Sequence, residues 1–234
     1  MASSNPASSG AASGAAAEDD SSDGQTVAEV LAAVAYGERL GARRTQESVR
    51  LAPDPRTASV QQHIADQERQ NSDLIEARLR EVGGQAMIDR YQPFFDAFFE
   101  HTEPVDWTQA QTFHYIGDAL VSDFADALVP LVDRVSGEIV RRALGNREDQ
   151  EQFALEELTR AMQAEPSTSD AIRAYSRRIM GEAFTQTSRA LEQSEGLRLL
   201  LGRDADGGKR FILGLLERHR QRLDRLGIER LEDD

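Results

Sequence analysis

A carboxylate and an amide three residues apart, Glu68 and Asn71, fill the two gaps in an otherwise apolar helical stripe of Val60, Ile64, Ile75, Leu79 and Val82. Three other stretches carry the same interruption. Glu38 follows Val27, Val30 and Val34 and precedes Gly41, and Asp123 follows Phe113, Ile116 and Leu120 and precedes Ala127. Arg147 and Gln150 stand between Ile139 and Ala143 on one side and Ala154, Leu158 and Ala161 on the other, where a stripe through Val140, Leu144 and Leu155 competes for the same face. Inward carboxylates of this kind have one well-known use in helix bundles. One acid from each of two helices, with Glu-x-x-His from each of two more, holds a pair of metal ions. A lone acid on an apolar stripe is more often a snorkelling side chain. Four interruptions in order, each well inside its helix, lie near one level at a rise of ~1.5 Å per residue and point to a shared bundle centre.

The elements that must position these groups read as helix after helix. Residues 1–25 contain no large apolar side chain and are expected to be a disordered tail. A capping box, Thr26 to Glu29, opens a first helix that runs to Leu51. The second starts at Asp54–Pro55 and stops at Gly83–Gly84. A segment broken by Pro93 follows, rich in phenylalanine at 94, 95, 98 and 99, and is expected to cap the bundle core. The third helix spans Asp106–Trp107 to Pro130, the fourth Val135 to Ala164, the fifth Asp170 to Glu195, and the last Lys209 to Gly227. No stretch alternates with period two. The expectation is an all-α four-helix bundle with one extended crossover and one or two additional C-terminal helices, occupying residues 26–228, then an acidic tail over 229–234.

Composition narrows the function. The chain has 234 residues and a formal charge of −14, which argues against a general nucleic-acid binder. It has no cysteine, so thiolate metal sites and disulfides are excluded and a reducing cytoplasm suits it. No apolar run reaches the ~20 residues of a membrane span, and no signal region opens the chain. Lys209 is the only lysine. Arg218, Arg220, Arg222 and Arg225 form a basic stretch, with Glu217 and Asp224 interleaved as on a solvated helix face.

Four short motifs, AYGERL (35–40), YIGDALVSDF (115–124), RRIMGEAFTQ (177–186) and LLERHRQRL (215–223), together resemble bacterial ferritin-like proteins of the tRNA 2-methylthio-isopentenyladenosine hydroxylase-like group, in an actinobacterial-type form. The resemblance covers about residues 27–227 and rests on motif order and spacing. It implies a ferritin-like bundle and, in the group's active members, a di-iron monooxygenase that hydroxylates a modified tRNA base. Carried over one at a time, Glu38 and Glu68 match the first two carboxylates. The resemblance puts a histidine at 71, where this chain has Asn71. Its third-helix carboxylate matches Asp123 better than Asp118, which lies off the apolar stripe. The fourth helix should give an acid and a histidine, and this chain has Arg147 and Gln150. No Glu-x-x-His occurs anywhere. His63 and His114 lie off the stripes and are expected to be partly exposed, and His219 reaches the centre only if the last helix packs there. Glu182 follows the group's pattern without an assigned role.

Neutral imidazole ligates iron well, an amide poorly and a guanidinium not at all. Two like charges ~4 Å apart repel by about 4 kcal/mol at an effective dielectric near 20, so Glu38, Glu68 and Asp123 need a cation. The expectation is that Arg147 supplies it through its planar fork, with Asn71 and Gln150 donating to the remaining oxygens. The chain is then a non-catalytic interaction protein without a cofactor, with an unidentified protein partner. The alternative is an iron-dependent hydroxylase like the tRNA enzyme. A further alternative rotates the fourth helix and turns Arg147 to solvent.

Overall fold

A computed structural model describes residues 13–145, 147–193 and 207–228. All regular structure among them is helical: α1 Ser13–Ser48, α2 Pro55–Glu81, α3 Ile88–His101, α4 Trp107–Thr112, α5 Asp118–Leu128, α6 Arg134–Leu144, α7 Arg147–Ala164, α8 Thr168–Gln193 and α9 Gly207–Arg225. A π-helical turn, Phe113–Gly117, joins α4 to α5.

Local chemistry sets most of these limits. The Asp54 carboxylate accepts from the backbone of Arg56 and Thr57, and Pro55 fills the first turn, so α2 starts there. It ends at Gly83, whose φ of 71° lies in the left-handed region that glycine adopts without strain. Asp106 caps α4 through the Gln109 amide, and Asp133 caps α6 through Ser136.

Four boundaries depart from the sequence reading. Helix α1 begins at Ser13, so residues 13–25 are helical where a tail was expected; the alanine-rich run before Glu18 favours that state. Residues 1–12 and 229–234 lie outside the described residues. Pro93 sits inside α3 without ending it, because burial of Tyr91, Phe98 and Phe99 outweighs the missing backbone bond. The expected third helix contains the π turn. The expected fourth helix is two, α6 and α7, divided at Gly145.

Helix α1 packs along α2, α2 along α6, and the α4–π–α5 segment against α1, α6 and α7, making the four-membered bundle. Helix α3 is the crossover between α2 and α4; it lies on α1 and α8, and α9 lies on α5. Along α1 and α2 the interior changes character. Val27, Val30, Leu31 and Val34 share an apolar cluster with Ile75 and Leu79. The other half of the pair carries buried polar side chains, Glu38, Arg44, Thr45 and Ser48 from α1 and Gln61 from α2.

Candidate functional site

That polar half is built around two carboxylates and an arginine. Glu38 on α1 is 5% exposed, and its Oε1 is in close contact with Arg147 Nη2 from the first turn of α7. The other arm of the fork, Nη1, donates to the Asp118 backbone carbonyl at 2.7 Å. The structure thus brings Arg147 and Glu38 together and turns the Arg147 fork inward.

The third-helix acid is a different residue. Asp123 ion-pairs with Arg222 of α9 at 2.9 Å and with Arg218 at 3.0 Å, outside the cluster. Asp118 takes the inward place, with its Oδ2 accepting from His114 Nδ1 at 2.7 Å and from Gln150 Nε2 at 3.2 Å. Burial defeats the stripe argument here. Every residue from Ala110 to Leu120 is buried, so this helix has no single apolar face to read. The π turn then adds to the phase error, because its wider turn rotates every residue C-terminal to it.

His114 is likewise not partly exposed. It is buried at 2% exposure, and its Nε2 meets Ser48 Oγ at 3.1 Å and the Gln61 amide nitrogen at 3.3 Å. Gln61 in turn accepts from Gln111 at 3.1 Å. Buried polar groups need partners, and this chain of amides, hydroxyls and imidazole supplies them. The four-residue spacing of His114 and Asp118, in a stretch free of exposed charge, was the available signal.

Glu68 turns its carboxyl into the same cluster, where Thr45 donates to it while Oε2 is buried without a hydrogen-bond partner. Burial, then the nearby Asp118 charge, pushes its carboxyl up to about 8, so it is largely protonated at neutral pH. Burial also pushes Glu38 up, against the pull of Arg147. For Arg147 burial acts against the charge, and Glu38 and then Asp118 outweigh it, holding the guanidinium firmly protonated. One fixed cation therefore faces Glu38 and Asp118, while Glu68 holds a proton. The space bounded by Glu38, Glu68, Asn71, Arg147 and Gln150 is about 10 Å³, room for one water at most.

A buried arginine escaped the sequence reading. Arg44 donates to the Phe99 carbonyl and, at 2.7 Å, to the Thr102 carbonyl, satisfying groups left open at the end of α3. Its guanidinium lies 4.9 Å from the Phe113 ring centroid. The remaining candidates stand apart. His63 is exposed. Glu182 accepts from Gln186 and contacts His101 at 2.9 Å, tying α8 to α3. His219 is on α9, where burial and Arg222 push it down to about 4. The basic stretch of α9 is largely answered: Arg220 pairs with Glu217 and Arg225 with Glu151, in addition to the Asp123 pairs.

These donors do not match a pair of iron ions. A guanidinium stands among the carboxylates, Asn71 and Gln150 beside it are amides, and among the described residues no three of His, Asp and Glu are gathered to hold a metal. Comparison with protein families matches residues 22–204 to the ferritin-like domain of actinomycetes. A search of curated proteins finds no match.

Proposed function

Because the chain belongs to the ferritin-like domain family of actinomycetes, we propose that its di-iron centre has given way to a buried ion pair and that it acts by interaction, without catalysis. The observation that carries this reading is the Arg147 fork, one arm on Glu38 and the other on the Asp118 carbonyl. A guanidinium there gives the inward acids a permanent counter-charge that needs no cofactor. The bundle becomes a scaffold for a protein partner in the cytoplasm. Among the described residues no helix is long and apolar enough to cross a membrane.

The alternative is a non-haem di-iron hydroxylase of the tRNA-modifying kind, favoured by the survival of Glu38, Glu68 and a third inward acid beside an imidazole, Asp118 with His114. Metal analysis of protein produced with iron in excess separates the two. Iron well below one equivalent per chain supports the ion pair; two equivalents overturn it. Filter binding across salt checks the RNA aspect, where no retention of tRNA even at low salt is expected.

A further inference from the structure

A second hollow, about 110 Å³, lies among α1, α3, α5, α8 and α9. It adjoins the bundle on other faces of α1 and α5 than those bearing Glu38 and Asp118. Phe98, Met180 and Leu215 form a buried floor, and Phe94, Phe124 and Phe184 stand half-buried around it. Among the described residues, none that lines it is charged. Among the described lining residues, polar side chains come from Tyr91, Gln186 and Thr187, and the Gln186 amide is spent on Glu182 at 2.6 Å.

Shape and chemistry both select a small apolar occupant. Water in such a hollow has few partners, and an apolar cavity of about 150 Å³ in another protein stays dry and admits benzene. A charged headgroup would lose its hydration with nothing to replace it. The rim phenylalanines stand only half-buried around a concave site, whereas Phe98 and Phe99, on the same helix as Phe94, are buried. Phe95 also lines the hollow, and it is seated there by Gly37, where a Cβ would meet its ring at 3.0 Å.

We propose that this hollow binds one uncharged, ring-sized hydrocarbon. The test is a toluene titration of the full chain labelled with methyl-¹³C methionine. Met180 lines the hollow and Met87 and Met162 do not, so the expected result is a saturable shift of the Met180 methyl alone. Phenylacetate, of similar size but charged, leaves it unmoved. The Ala183→Leu variant, which fills the hollow, weakens toluene binding at least tenfold. Saturating toluene raises the melting midpoint of the unaltered protein by about 2–4 °C. A Met180 signal that stays still up to the solubility limit of toluene, or that moves equally with phenylacetate, overturns the proposal. Should the variant fail to fold, the titration of the unaltered chain decides alone.

Discussion

Ala33 and Glu38 lie five residues apart on α1 and face very different interiors. Glu38 looks into a cluster packed so closely that about 10 Å³ remains free, and Ala33 into a hollow of about 110 Å³. The difference follows from what each lining can tolerate. Apolar side chains that stand apart around such a hollow forfeit dispersion contacts, ~24 cal/mol per Å³ where the space is fully enclosed and less where it opens to solvent. A single buried charge left without its partner costs about 3–5 kcal/mol by itself. Charges must therefore touch their counterparts, whereas hydrocarbon can stand off and leave room for a guest.

The sharpest way to break this contrast is Arg147→Ala. It should destabilise by about 3–5 kcal/mol in urea unfolding, since Glu38 is then buried without a counter-charge. The double variant Arg147→Met with Glu38→Leu should lose much less, and a single-variant loss below about 0.5 kcal/mol would place the pair in the class of surface contacts.

Next in size is a pH effect at Glu68. Its folded carboxyl is raised to about 8 from an ordinary 4.5. Its contribution to stability is thus complete below about pH 4.5 and is lost as pH rises through 8, on the order of 2–4 kcal/mol. Glu68→Gln removes that slope, so the variant should gain on the parent between pH 5 and pH 8. Parallel unfolding curves at both pH values for the two proteins would show the slope belongs elsewhere.

On the apolar side, Ala183→Leu should stabilise by about 1 kcal/mol by filling part of the hollow, the opposite sign from any enlargement made in the polar cluster. The smallest effect is expected at Asp123→Asn. It loosens two ion pairs to α9, costs about 0.5 kcal/mol, and leaves the response of Arg147→Ala unchanged because the two sites share no partner. Strong coupling between Asp123 and Arg147 would mean the acid belongs to the central cluster after all.

Much of this was legible in the chain itself, and the failures have definite causes. Asp54, Pro55, Gly83 and Asp106 declare helix limits because their chemistry is local. Glu68 and Gln150 were found because α2 and α7 each keep a polar outer face, against which an inward polar residue stands out, and Glu38 was found although residues 27–38 are buried throughout, because α1 keeps a regular turn there. Asp118 and His114 were missed because their helix is enclosed on every side and its turn widens at Phe113–Gly117, which defeats periodic reasoning. Arg44 was missed because it serves backbone carbonyls of a distant helix end, a task with no spacing rule.

The π turn has a consequence for how this protein can change. A helix of 3.6 residues per turn rotates by about 100° for each residue gained or lost. The π turn takes up about one residue more than a regular turn, so removing one residue between Phe113 and Gly117 lets the segment close into regular helix while α5 keeps its facing. The acid handed to the last helix then stays where it is, whereas the same deletion made within α5 ahead of Asp123 would swing that acid away from Arg218 and Arg222. The turn is thus a reserve of slack: a residue lost there leaves the wiring to the last helix intact, and a residue lost one turn later does not.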